Sequence, residues 1–137
     1  MLKPRLKAMA GAFAVIVGGD FLVHHGWLGG FYKAHPDWWA AEAQMQERLP
    51  LLLLGQLVLA ALLTLVYAKG YEPHKGKGNQ GMRFGLLMGL VLTVPQNLLN
   101  AVIYPYPTSL LISWVVGGLF IYTLAGTVIG ALYRPAP

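Results

Sequence analysis

Four long apolar runs dominate the chain, and short polar segments separate them. Each run is about as long as the roughly 20 residues that a helix needs to cross a hydrocarbon core of about 30 Å. Together the runs occupy most of the 137 residues, which leaves no room for a soluble domain. The pattern predicts an all-α integral membrane four-helix bundle, one domain over residues 1–137, with spans at 8–29, 49–68, 84–104 and 108–133.

The polar segment between the first two runs mixes aromatic and charged residues in the stretch HPDWWAAEAQMQERLP. Pro36 and Asp37 are residue types that favour a helix start. Trp38 and Trp39 are typical of the headgroup level of a bilayer. We therefore predict a short interfacial helix in this first outer loop. A further hypothesis is that the two tryptophans form a sensor or lipid-binding surface. The predicted interfacial anchors are Trp27, Trp38, Trp39 and Tyr104.

Composition and charge agree with a membrane protein and predict its orientation. Only 11% of the residues are charged, against about 25% in soluble domains. Eight basic residues fall on one side of the predicted bilayer, namely Lys3, Arg5, Lys7, Lys69, Lys75, Lys77, Arg83 and Arg134. The positive-inside rule then predicts that both termini face the cytoplasm. This asymmetry explains the net charge of +5 without a nucleic-acid interface.

The first run raises the alternative of a cleaved signal peptide, because basic residues precede it. It is longer than a typical signal-peptide core, has an acid near its centre and lacks a clear A-x-A cleavage site. We therefore expect it to remain as a helix. The absence of cysteine excludes disulfides, thiolate metal sites and cysteine catalysis.

Small residues at helical spacing predict close contacts between helices. They are Ala10, Ala14 and Gly18 in the first span, Gly85 and Gly89 in the third, and Gly117, Gly118, Gly126 and Gly130 in the fourth. The short turn between spans three and four predicts that these two spans are antiparallel neighbours. Pro95 is predicted to kink the third span and to free the carbonyl of Val91, because proline has no N–H to donate.

Polar side chains within the spans concentrate in the predicted outer half of the bilayer. At 1.5 Å per residue, Asp20 lies about 2 Å outward of the centre of the first span, where a charged aspartate costs about 2.5 to 3.5 kcal/mol. His24 and Trp27 follow at i+4 and i+7 and so share a face with Asp20, whereas His25 points about 100° away. Residues at similar depths on the other spans are Gln56, Asn97, Asn100 and Ser113.

These depths predict an outward-facing polar pocket that binds or passes a small polar solute, an ion or a proton. Asp20 and His24 are its predicted titrating groups, and Asp20 is expected to pair with His24 or with the asparagines of span three, or else to stay protonated. The predicted neutral lining is Gln56, Asn97, Asn100 and Ser113. Two alternatives remain: a polar pair that only orients helices, and a non-catalytic accessory subunit that packs against a larger membrane complex.

Metal binding and catalysis receive little support from the sequence. His24, His25 and His35, with Asp20 and Asp37, have no recognised metal-ligand spacing, and no serine lies in a nucleophile context. We predict no catalytic residue, no metal and no cofactor, and hence a protein that is not an enzyme. The predicted partners are the lipid bilayer and either a second copy of the chain or a larger membrane complex.

Four segments of the second half carry a resemblance to known proteins. They are AKGYE at 68–72, QGMRFGLLMGL at 80–90, SWVVGGL at 113–119 and AGTVIGALYRP at 125–135. On these segments the chain resembles an uncharacterised family of small four-span bacterial inner-membrane proteins. The resemblance implies four spans and a location in the bacterial inner (cytoplasmic) membrane, and it assigns chemistry to no residue. The motifs of small multidrug exporters and of fluoride channels are absent.

Overall fold

The structure, a computed structural model, describes residues 2–135, and 85% of the chain is helical, with no strand among those residues. Its α-helices are α1 (Leu2–Phe21), α2 (Gly29–Ala34), α3 (Glu42–Glu47), α4 (Leu49–Lys69), α5 (Lys77–Ile103) and α6 (Thr108–Leu132). A π-helical segment, Leu22–Trp27, continues α1, and a 3₁₀ turn covers Pro36–Trp38. Four helices are long and apolar enough to cross a membrane: Arg5–Trp27, α4, α5 and α6. The prediction of an all-α chain with four long apolar helices is confirmed.

Helix α6 lies at the centre of the arrangement. It packs along α5 and along α1, and α4 packs mainly against α1. A side chain added to Gly11, early in α1, would meet Val128 and Leu132 near the end of α6, whereas one added to Gly117, early in α6, would meet Val23. Because α1 and α6 therefore run antiparallel, the two ends of the described chain lie at the same end of the bundle.

The two ends of the bundle differ in their residues. The basic end comprises residues 5–8, 69–77 and 133–135, which contain most of the cationic side chains. The tryptophan end comprises residues 28–48 and 104–107, including Trp38 and Trp39.

Glycines bring α5 and α6 into backbone contact toward the basic end. A Cβ atom added to Gly126 would lie 2.5 Å from the carbonyl oxygen of Gly81 and 2.5 Å from the Cα of Gly85, and one added to Gly130 would meet the carbonyl of Lys77. No side chain fits between backbones at that distance. The predicted antiparallel pairing of the last two spans is confirmed.

The small-residue face of α1 was predicted to contact another helix. Within the described chain it does not, so that prediction is wrong there. Ala10, Ala14 and Gly18 are exposed, and a Cβ on Gly18 would meet nothing within 4 Å. Helix α1 instead packs through another of its faces, on which Ala8 and Ala12 are fully buried. Residues of similar size occur on both faces, so spacing alone did not identify the contact.

The first outer loop is helical in a different place from the one predicted. Pro36 starts only a 3₁₀ turn, because His35 and Trp39, on either side of it, have non-helical backbone angles. The α-helix of this segment, α3, begins at Glu42. The residue types at 36 and 37 favour a helix start, but the chain leaves helical geometry again at Trp39.

Helix α5 runs without a break from Lys77 through Pro95 to Ile103. Since proline has no N–H, Pro95 gives no hydrogen bond to the carbonyl of Val91. Both residues are exposed, and neither lines the cavity described below. The kink at Pro95 stays a prediction.

Candidate polar site near the tryptophan end

A cavity of about 240 Å³ lies between the first helix, α5 and α6 in the half of the bundle nearer the tryptophan end. Its volume is several times the roughly 30 Å³ that one water molecule occupies in the liquid. The polar residues that line it are Asp20, His24, Thr93, Gln96, Asn97 and Asn100. Trp114 and Tyr122 of α6 contribute aromatic walls. Four residues predicted or discussed as polar lining from the sequence, Asp20, His24, Asn97 and Asn100, therefore meet at one cavity.

Asp20 is held by a residue from outside the cavity. Gln56 of α4 donates a hydrogen bond from its Nε2 to Asp20 Oδ2 at 2.6 Å. Gln56 is 7% exposed and does not line this cavity. The expectation that Asp20 pairs with His24 or with an asparagine is wrong, because the first helix packs on α4 and brings the glutamine to it. A short bond between an amide donor and a carboxylate fixes the side chain of Asp20 on the α4 side.

His24 is the last of three residues, after Trp114 and Tyr32, that are joined by hydrogen bonds. Trp114 donates from Nε1 to the hydroxyl of Tyr32 at 2.8 Å, and Tyr32 Oη lies 2.7 Å from Nδ1 of His24. Indole is only a donor, and a phenol both donates and accepts. With Nδ1 unprotonated, Tyr32 donates to His24, and the proton of a neutral imidazole is then on Nε2.

The π-helical segment changes the face that the first helix presents. The amide of Leu28 bonds to the carbonyl of Val23, five residues earlier, so each turn there contains more residues than in an α-helix. His24 lines the cavity, while Trp27 is 53% exposed and lies outside it. The predicted face shared by Asp20, His24 and Trp27 is therefore wrong for Trp27. His25 is also outside the cavity and packs on Phe21, with ring centroids 4.9 Å apart.

Two of the three amides that α5 contributes to the lining, Gln96 and Asn97, donate one hydrogen bond each within their own helix. Asn97 donates from Nδ2 to the carbonyl of Thr93, and the Thr93 hydroxyl donates to the carbonyl of Gly89. Gln96 donates to Oδ1 of Asn100 at 3.1 Å. The Oδ1 atom of Asn97 is buried and accepts no hydrogen bond within the described chain. The wall formed by α5 thus has an unused acceptor.

Ser113 lies outside the cavity, although it was predicted to line it. Its hydroxyl donates to the carbonyl of Ser109, one turn earlier in α6, as serine often does in apolar helices. The residue of α6 that reaches the cavity at this level is Trp114. Sequence reasoning missed Trp114 and Tyr122 as lining, because aromatic residues in a span are typical of core packing.

Aromatic rings pack against one another at the tryptophan end. Trp39 stacks on Tyr106 with centroids 5.5 Å apart and meets Trp114 at 6.4 Å. Tyr104 stacks on Tyr106 at 5.1 Å, and Trp38 packs on the same ring at 5.8 Å. The predicted anchors Trp38, Trp39 and Tyr104 therefore form one aromatic cluster with Tyr106.

Burial within this region raises the pKa of the Tyr32 hydroxyl, and the hydrogen bond from Trp114 opposes part of that shift. Both effects follow from the charge of the phenolate, which burial disfavours and a donor favours. Tyr32 therefore keeps its proton throughout the neutral range. It can donate to His24 at any pH at which that ring accepts.

The described residues contain no group of three or more histidine or acidic side chains that could hold a metal ion. The polar site has one acid, Asp20, and one imidazole, His24, in a lining that is otherwise neutral. Its polar groups suit hydrogen bonding and the neutralisation of a single positive charge.

Comparison of the chain with protein-family models, with curated proteins and with solved structures gave no match. The resemblance to small four-span bacterial inner-membrane proteins stays a prediction.

Proposed function

We propose that this chain is a multi-pass membrane protein whose polar cavity binds or passes a small polar solute, an ion or a proton. The observation that carries the proposal is the meeting of Asp20, His24, Asn97 and Asn100 at one cavity of about 240 Å³ within helices apolar enough to span a bilayer. Ionisable groups within membrane helices are costly and are typical of solute or proton pathways.

The exposed surface supports placement in a membrane. Large apolar side chains are exposed on all four long helices, for example Leu51 at 68% and Val102 at 86%. Soluble monomers rarely have contiguous apolar patches above a few hundred Å². We propose that lipid covers this surface in the bacterial inner membrane. The basic end would face the cytoplasm under the positive-inside rule, and the cavity would then be nearer the outer surface.

Uptake into proteoliposomes tests this function. Purified protein is reconstituted with a pH-sensitive dye inside the vesicles, and proton flux and radiolabelled solute uptake are followed for wild type and Asp20→Asn. We expect solute or proton movement in wild type and a loss of about tenfold or more in the variant, because the one acid of the cavity is gone.

Asp37→Asn is the matched control, since Asp37 is an exposed acid of the 3₁₀ turn and lies outside the cavity. It is expected to keep wild-type activity. Equal activity of wild type and Asp20→Asn across the panel would count against the proposal, as would the absence of both flux and binding.

A second candidate function is that of an accessory subunit in a larger membrane complex. The observation that favours it is the uncovered small-residue face of the first helix, where Ala10, Ala14 and Gly18 are exposed. Such faces allow another helix to approach closely in a bilayer. Purification in mild detergent without crosslinking separates the two functions. A stoichiometric partner of different sequence supports the accessory function, whereas Asp20-dependent uptake by the chain alone supports the cavity.

A further inference from the structure

We infer that the cavity takes a small organic cation that carries N–H groups, such as an alkylammonium ion. This inference rests on the proposed function and narrows it to one class of ligand. It rests on the carboxylate of Asp20, on a lining without lysine or arginine, and on the aromatic walls of the cavity.

The donors in the buried part of the site are directed at other protein groups. The Thr93 hydroxyl bonds to Gly89, the Asn97 amide bonds to Thr93, and the Trp114 indole bonds to Tyr32. The amide orientation of Asn97 is fixed by this contact, since a carbonyl can only accept. These three donors are therefore not free for a ligand.

The acceptors are less completely used. Asp20 receives one hydrogen bond, from Gln56 to Oδ2, and an ionised carboxylate has about four acceptor positions. The remaining acceptor positions of the Asp20 carboxylate can take N–H donors from a ligand that enters the cavity.

Charge and shape favour the same class of ligand. Asp20 is the one acid of the lining, and a single positive charge would neutralise it in a region where an isolated charge is costly. Trp114 and Tyr122 place aromatic groups in the walls, and aromatic faces attract ammonium groups. The volume of about 240 Å³ exceeds what a bare monovalent metal ion would fill, so an apolar group attached to the nitrogen has room.

Anions and neutral polar solutes fit less well. An anion would face Asp20 with no lysine or arginine in the lining. A neutral amide solute would leave the charge of Asp20 uncompensated.

Calorimetric titration of the purified full chain in neutral maltoside micelles tests the inference on wild type alone. The probes are propylammonium, propionamide, propionate and sodium ion at equal ionic strength. Propylammonium is expected to bind at least about tenfold more tightly than the other three, because it alone supplies both charge and donors to an apolar-walled site. Protein-free micelles measure the partition of each probe into detergent.

Variants then locate the binding. Asp20→Asn is expected to weaken propylammonium binding about tenfold or more, and Asn97→Leu by a smaller factor, whereas Asp37→Asn leaves it unchanged. Circular dichroism and gel filtration check that each variant is folded. The wild-type comparison does not depend on any variant, so a variant that misfolds leaves the test intact.

The outcomes distinguish this inference from the function on which it rests. Stronger binding of propionamide, propionate or sodium ion than of propylammonium overturns the cation inference and leaves the cavity as a solute site. Propylammonium binding that is the same in folded Asp20→Asn also overturns it. If no probe binds and proteoliposomes show no flux, both the inference and the proposed function fail.

Discussion

The packing of α5 against α6 differs between the two halves of this helical bundle. Toward the basic end, Gly81 and Gly85 of α5 lie against Gly126 and Gly130 of α6 so closely that no side chain fits between the backbones. Toward the tryptophan end the same two helices enclose, with the first helix, a cavity of about 240 Å³. In one half, backbone atoms fill the space between these helices. In the other half, that space is a cavity with a polar lining.

The difference shows that the polar residues are placed where the helices separate. Within α5, glycine recurs every four residues at 81, 85 and 89, and polar side chains follow at 93, 97 and 100 on the continuation of that face. One helical face thus changes from close contact to cavity lining along its length. Substitutions should therefore have different effects in the two halves.

The largest effect is expected for Gly126→Ala in the closely packed half. The added Cβ would lie 2.5 Å from Gly81 O and 2.6 Å from Gly85 N, both backbone atoms. A rotamer change cannot relieve that contact, so we expect a loss of about 1–3 kcal/mol of unfolding free energy or more. Thermal unfolding in detergent, followed by circular dichroism, measures it.

Gly55→Ala is the control for this prediction, because a Cβ on Gly55 meets nothing within 4 Å. It should be neutral or slightly stabilising, since alanine has a higher helix propensity than glycine by about 1 kcal/mol. Equal stability losses for the two variants would show that the glycines of α5 and α6 are not in the contact described.

The second effect concerns the hydrogen bond between Gln56 and Asp20. Gln56→Leu removes the donor to Asp20 and leaves a partly buried carboxylate without it, which should cost about 1.5–3 kcal/mol. Removing both polar groups avoids that penalty, so Asp20→Leu combined with Gln56→Leu should be more stable than Gln56→Leu alone. A double-mutant cycle of unfolding free energies measures the coupling. Additive losses would argue against a direct interaction.

The sequence predicted the parts of this molecule that follow from helical periodicity and hydrophobicity. Four apolar runs of sufficient length lead to four long helices, and the short turn at 104–107 forces α5 and α6 to be neighbours. Depth along each helix also placed Asp20, His24, Asn97 and Asn100 in the same half of the bundle, since depth follows from the rise per residue.

The predictions that were wrong depend on how each helix is rotated about its axis and on which helices pack against each other. The π-helical segment at Leu22–Trp27 rotates Trp27 away from the face of Asp20. No residue pattern in the sequence predicts such a segment. Gln56 became the partner of Asp20 because α4 packs on the first helix, whereas the sequence left the order of helices around the bundle open. Ser113 has a partner within α6.

A third effect is expected where the tryptophan end meets the cavity. Tyr32→Phe removes the hydroxyl that joins Trp114 to His24, so it leaves the indole donor without its partner. We expect a loss of about 1 kcal/mol in unfolding free energy and a change in tryptophan fluorescence. Tyr104→Phe serves as the control, because Tyr104 is 47% exposed and stacks on Tyr106. A loss in Tyr104→Phe as large as that in Tyr32→Phe would contradict a specific role for the Tyr32 hydroxyl.

The smallest effect is the pH dependence of the same residue. Burial raises the pKa of Tyr32 in the folded state above the value of about 10 that the unfolded chain has. Its contribution to stability is therefore fully present below pH 10 and is lost as the pH rises through the folded pKa, because the unfolded chain releases the proton first. We expect the unfolding free energy of wild type to fall more steeply between pH 10 and pH 11 than that of Tyr32→Phe. Parallel pH profiles for the two proteins would place Tyr32 in contact with water and outside the hydrogen-bond chain.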